Sequence, residues 1–131
     1  MKLFAVLLGG RAKGCNIELH DVVFVAGNSL EETYPHLINL WFGMTKRLHI
    51  DASIELSNVD GYRIVLSQQE TPAGQNKFLF FVNFGAYRAN YFGEVHEMNF
   101  YVAESKSQAL VKAKKNYVLI CRKGIVMIVC N

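Results

Sequence analysis

Charge, proline and cysteine are all scarce in this chain of 131 residues, and each shortage excludes something. Charged residues make up 19% and prolines number two, while 51% of side chains are apolar, a balance that excludes a disordered polymer. Cys15, Cys121 and Cys130 form no Cys-x-x-Cys pair and are odd in number. That excludes a zinc knuckle and a disulfide framework, and fits reduced thiols in a cytoplasmic protein. No apolar run approaches the ~18 residues of a membrane-spanning helix, so no membrane partner is expected. Gly-x-Ser-x-Gly, His-Glu-x-x-His and acidic calcium-loop motifs are missing too, which removes several common enzyme and sensor signatures.

The N-terminal string MKLFAVLLGGRAKGCN imitates a short signal peptide, yet its apolar run ends at Gly9-Gly10 after about six residues. The same run recurs in mid-chain as Phe78–Phe84, where no signal could act. Both runs therefore read as strands.

What the chain does have is repetition. Residues 3–29 and 79–105 align without a gap at an offset of 76. Eight of the 27 positions are identical: Leu3/Leu79, Phe4/Phe80, Val6/Val82, Gly9/Gly85, Glu18/Glu94, His20/His96, Phe24/Phe100 and Ser29/Ser105. Chance gives roughly one or two at ordinary composition. The expected organisation is a single domain of two repeats, 1–68 and 77–131, joined by the polar linker 69–76 (QETPAGQN).

Each repeat opens with a glycine-stopped apolar run, Leu3–Leu8 or Phe78–Phe84, followed by a second strand, Leu19–Ala26 or Val95–Val102. Ser29-x-x-Glu32 and Ser105-x-x-Gln108 are then capping-box signatures at helix starts. The first helix carries Leu30, Tyr34, Leu37, Ile38 and Trp41 as one apolar stripe ending at Gly43, and Pro35 predicts a kink or a late start. The second keeps Leu110, Ala113 and Tyr117 on one face, with Lys106, Lys112, Lys114 and Lys115 solvated. Leu48–Leu56 and Tyr62–Gln68 flank Asn58-Val-Asp-Gly61 as a hairpin, and Tyr117–Arg122 with Ile125–Val129 flank Lys123-Gly124 as a shorter one. The fold class is α+β: two strand–strand–helix–strand–strand repeats related by a pseudo-two-fold, with helices packed on antiparallel or mixed sheet.

One polar constellation recurs. Glu18 and His20 share a strand face with Val22, Phe24 and Ala26, and Glu94 and His96 share one with Met98, Phe100 and Val102. The apolar remainder predicts that this face points into the core. On the structural reading each imidazole donates to a carboxylate or carbonyl and orders the loop-to-strand junction. On the chemical reading the two repeats meet, and Glu18, His20, Glu94 and His96 form one cleft for a divalent metal or for acid–base work near neutral pH. His49-x-Asp51 places a third imidazole and a carboxylate on one face. At the same offset the second repeat has Ile125 and Met127, so His49 and Asp51 read as structural first and metal ligands second.

Gly9-Gly10-Arg-Ala-Lys-Gly14 resembles a phosphate-cradling loop, but a strand follows where a helix is required. Arg11 and Lys13 are candidate anion ligands within what is otherwise a turn. Charge is uneven: residues 1–76 hold six Lys/Arg against eight Asp/Glu, and residues 77–131 hold eight against three. Aromatics beside Arg88 raise single-stranded RNA as a reading. The aromatics fall in a buried-strand pattern, and nucleic acid is not expected as a partner.

The string IELHDVVFVAGNSLEETY, followed by LWFG, LHID and VDGY, resembles a family of bacterial proteins that carry one or two copies of a domain of unknown function, DUF1543. The resemblance covers Leu3–Leu66 and returns through VHEMNFYVAES, fading after about Lys115. It implies the fold and a bacterial cytoplasmic origin, and it carries no activity, substrate or cofactor. The function expected is a non-catalytic ligand-binding or protein-interaction module, associating as a homodimer through strand edges. The alternative is a metal-binding or acid–base enzyme using the paired His and Glu residues at the repeat interface. RNA binding ranks third. No cofactor is expected beyond a divalent metal at those residues.

Overall fold

The computed structural model describes residues 1–67, 74, 76–118 and 127–129. The chain divides into two compact units, Met1–Asn58 with Arg63–Gln68, and Val59–Tyr62 with Gln69–Asn131. Both are α+β, each with a helix packed on an antiparallel sheet.

In the first unit, β1 (Lys2–Arg11) is the central strand, with β2 (Leu19–Gly27) on one side and β3 (Met44–Glu55) on the other. Phe4, Val6 and Leu8 alternate on one face of β1 and pack with Val23 and Val25 of β2 beneath Leu37 and Trp41. Burying a side chain of this size contributes about 1.5–3 kcal/mol, so this alternation decides which face the helix covers. A single 3-10 turn, Glu31–Thr33, precedes α1 (Tyr34–Leu40). Pro35 stands at the start of α1, where its missing N–H costs nothing, so the helix begins late instead of kinking. The Ser29 and Glu32 bonds form around the 3-10 turn and not on α1: Glu32 N donates to Ser29 Oγ at 3.4 Å and Asn28 N to Glu32 Oε2 at 3.0 Å. α1 itself starts after Thr33 without a side-chain cap. The helix ends at Leu40 because Trp41 is extended (φ −68°, ψ 126°), and its indole donates to the Met44 carbonyl at 3.1 Å.

The buried face is the opposite of the one expected. Val23 and Val25 are buried, whereas His20, Phe24 and Ala26 are exposed and Val22 is half-buried. Both faces of β2 are apolar enough to be a core face, so period-2 patterning alone does not choose between them. The hairpin after α1 also differs. β3 starts at Met44 and pairs with β1, and the turn joins only β4 (Asn58–Val59) to β5 (Tyr62–Arg63). Asp60 (φ 53°) and Gly61 (φ 78°) supply the two left-handed residues of the turn.

In the second unit β6 (Phe78–Tyr87) is central between β7 (Glu94–Ala103) and β8 (Met127–Val129). Here α2 (Lys106–Val118) lays Ala109 and Ala113, both fully buried, against Val82, Phe84, Ala86, Tyr101 and Ala103. Its capping box forms, with Gln108 N donating to Ser105 Oγ at 3.3 Å and Glu104 N to Gln108 Oε1 at 3.1 Å. Two expectations fail. Tyr117 and Val118 are the last turn of the helix, not a strand, and Lys112 does not simply face solvent. Its ammonium donates to Asp60 Oδ2 at 3.0 Å and to the Val102 carbonyl, while Asp60 Oδ2 also accepts Val102 N–H at 2.9 Å. The expected turn at Lys123-Gly124 and most of the linker 69–76 lie outside the described residues. Among the described residues no helix is long and apolar enough to cross a membrane.

Candidate metal centre on the first sheet

Gly9 is the floor of the site. In the sheet register it lies opposite His20 on β2 and opposite His49 on β3, so two imidazoles flank one residue without a side chain. Adjacent strands are about 4.8 Å apart, which puts the two histidine backbones within reach of a common point above Gly9. A Cβ there would stand 2.5 Å from Asp51 Oδ2, 2.7 Å from His49 Nε2 and 2.8 Å from Glu18 Oε1. The missing methyl leaves the space in which these three side chains meet.

Those side chains and His20 close into a ring. His49 Nε2 is 3.0 Å from Glu18 Oε1 and 3.1 Å from Asp51 Oδ1. His20 Nε2 is 3.1 Å from Asp51 Oδ2 and 3.6 Å from Glu18 Oε1. Nitrogen and carboxylate oxygen alternate around it. The four side chains are between 31% and 50% exposed, so a hydrated ion reaches them without a buried passage.

Backbone irregularities of β3 aim the ring. Leu7 pairs with Ala52 and Leu8 with Ile50, which leaves Asp51 as the extra residue of a bulge. Further along, Gly9 pairs with His49 and Arg11 with Met44, so two steps on β1 match five on β3. Within that excursion Arg47 adopts φ 71°, a left-handed conformation that costs a non-glycine residue about 1–3 kcal/mol. Its carbonyl accepts the Nδ1–H of His49 at 2.9 Å. A carbonyl only accepts, so Nδ1 carries a proton and Nε2 is the nitrogen turned to the ring. The same bond, ahead of the Glu18 and Asp51 charges, holds the His49 pKa above the usual imidazole value, against a smaller desolvation effect.

The geometry suits a small cation. Neighbouring ring atoms are 3.0 to 3.6 Å apart, near the roughly 3.3 Å between two ligands of a tetrahedral ion. The two histidines, however, meet different oxygens of Asp51, and His49 lies outside the set of mutually close ligand atoms. One ligand atom from each of Glu18, His20 and Asp51 lies within 4.8 Å of the others. Two imidazoles with two carboxylates match the preferences of zinc, manganese or iron.

The second unit has part of this arrangement. Gly85 lies opposite His96, and His96 Nε2 is 2.8 Å from Glu94 Oε2. Glu94 Oε1 folds over Gly85 and is buried without a hydrogen-bond partner among the described residues. Facing Gly85 from the third strand is Met127, where the first unit has His49. The uniform offset of 76 had put Ile125 there. The sheet register places the counterpart two residues later, and Ile125 itself lies outside the described residues.

The remaining candidates sit elsewhere. Arg11 ends β1, and its Nη2 donates to the Asn16 carbonyl at 3.3 Å. Lys13 is exposed in a turn closed by Cys15 N to the Ala12 carbonyl at 3.2 Å, with Gly14 at φ 84°. Asp21, next to His20 on β2, accepts Val22 N–H at 2.9 Å. Sequence reasoning missed Gly9 and Arg47 as parts of the site. Recurrence of Gly9 at Gly85 was the available signal for the first; nothing in the string marks the left-handed backbone of Arg47. It also missed a cleft of about 400 Å³ between α1 and β3, lined by Leu8, Leu37, Ile38, Leu48 and Ile50, with His49 at its margin.

The fold and site define an α+β protein with a His-carboxylate cluster on an antiparallel sheet. The chain belongs to the DUF1543 family, whose description is a domain of unknown function; the family model matches residues 15–66. The crystal structure of the protein Il1583 from Idiomarina loihiensis is similar over 98% of this chain and 77% of that one, with 42% identity and a TM-score of 0.74. Among curated proteins, none matches the chain.

Proposed function

We propose that this protein is a small ligand-binding module whose polar anchor is a divalent transition-metal ion held by Glu18, His20, His49 and Asp51. The observation that carries the reading is the closed ring of alternating imidazole nitrogen and carboxylate oxygen over Gly9. Binding exchanges the Nε2 proton of His49 for the ion, while the Arg47 carbonyl keeps the ring oriented through Nδ1. The ring is half-exposed, so an ion that takes five or six ligands, as manganese and iron do, accepts further donor atoms from a bound molecule.

In the same reading the two units descend from one duplicated segment. Strand order β2-β1-β3 against β7-β6-β8 and the pairings Gly9↔His20 and Gly85↔His96 support it. The second unit then retains the Glu94–His96 pair with methionine in place of the second imidazole, and the metal belongs to the first unit alone.

Elemental analysis after loading with zinc or manganese and desalting tests this. The expected result is one equivalent per chain, lost in His20→Ala and in Asp51→Asn and kept in His96→Ala. Metal below a tenth of an equivalent, or retention in His20→Ala, overturns it.

A further inference from the structure

Three cations with no carboxylate partner among the described residues line a hollow at the same end of the first sheet. Arg11 lies two residues beyond Gly9 on β1, so it shares that face about 7 Å along the strand. Its register partner Met44, with Lys46 and Arg47 of the β3 excursion, lines the hollow with it, about 220 Å³ in volume. Arg11 donates only to the Asn16 carbonyl, and neither Lys46 nor Arg47 has an ion pair among the described residues. Arg47 thus joins the two sites: its carbonyl fixes His49 and the residue also lines the hollow.

We infer that this hollow is the oxyanion subsite of the metal centre, and that the ligand is a small phosphorylated molecule whose phosphate is clamped by Arg11, Lys46 and Arg47. The inference rests on the metal reading above. Two carboxylates balance a divalent ion once both histidines are neutral, so the loaded ring does not repel an anion. Three uncompensated cations beside it then attract one. Guanidinium groups bind phosphate through paired charge-assisted hydrogen bonds, and a phosphate group fits the hollow by volume. A phosphate held there directs an oxygen toward the ion along the common face of β1.

The test uses manganese as the ion and inorganic phosphate as the probe, with Arg11→Ala/Lys46→Ala as the variant. Both positions are exposed and outside the ring, and circular dichroism checks the variant's fold. Electron paramagnetic resonance first measures manganese binding, and phosphorus-31 relaxation then reports whether phosphate sits beside the ion. Expected are unchanged manganese affinity in the variant, enhanced phosphorus relaxation on the wild type, and phosphate affinity about tenfold weaker in the variant. Bound manganese with no relaxation enhancement, or equal phosphate affinity in the variant, overturns the inference and leaves the metal reading standing. Failure to bind manganese overturns the metal reading instead. Calorimetry on the metal-free protein then decides for the hollow: phosphate binding lost in the variant supports it, and no binding overturns it.

Discussion

The Arg47 carbonyl and the His49 imidazole are locked together at 2.9 Å, and the lock is made by a residue in a conformation that its side chain disfavours. Such strain persists only where surrounding structure over-determines it. Here the return is a histidine whose Nε2 faces two carboxylates.

A proton consequence follows for metal-free protein. His49 titrates above the ordinary imidazole value of about 6.5, because the Arg47 carbonyl and then the Glu18 and Asp51 charges favour the charged ring. Folded above unfolded means that the imidazolium's stabilisation is fully present below about pH 6.5 and is lost as pH rises through the folded value. An NMR titration of the His49 ring protons is expected to show that raised midpoint. A midpoint at or below the free imidazole value contradicts it. Metal and proton compete for Nε2, so metal affinity is expected to rise across the same interval.

Gly9→Ala crowds the ring directly. Its methyl would stand 2.5 Å from Asp51 Oδ2 and 2.7 Å from His49 Nε2, closer than real contacts allow. Metal affinity measured by calorimetry is expected to fall about 10–100-fold, the range seen when ligand positioning is disturbed. Wild-type affinity in this variant would show that Gly9 is not the floor of the site.

The core makes a separate prediction. Leu8 is 1% exposed and packs between β1 and the α1 side, so Leu8→Ala is expected to cost about 2–5 kcal/mol in urea unfolding followed by circular dichroism. A cost below about 1 kcal/mol would mean that the site collapses freely, which close packing opposes.

Asp60→Ala tests the turn. One carboxylate oxygen holds both Val102 N–H and the Lys112 ammonium. Removing it leaves an unpaired backbone donor, at an expected cost of about 1–3 kcal/mol in the same assay. Asp60→Asn keeps an acceptor and is expected to recover part of it.

How much of this was legible in the string depends on the kind of signal. β1 and β6 run on through the glycines expected to stop them, to Arg11 and Tyr87. Both opening strands, the Ser29–Glu32 and Ser105–Gln108 bonds and the late helix start at Pro35 are nonetheless local and readable, because each rests on a few neighbouring residues. The buried face of β2 is not, since Val22 and Phe24 are as apolar as Val23 and Val25 and only the helix above decides between them. Glu18 and His20 were singled out by recurrence. His49 and Asp51 do not recur and so stand out less, yet the bulge at Asp51 and the excursion before His49 bring them to the same point. A bulge changes register without leaving a mark in hydrophobic period, so the third strand was the least readable part of the site.

The central claim is tested most directly by anomalous diffraction at the zinc edge from crystals of the whole chain soaked in zinc. The account predicts one strong peak above Gly9, about 2.0–2.2 Å from His20 Nε2, His49 Nε2 and a carboxylate oxygen of each of Glu18 and Asp51. A fully soaked crystal with no peak there, or with the peak at Glu94 and His96 instead, contradicts it.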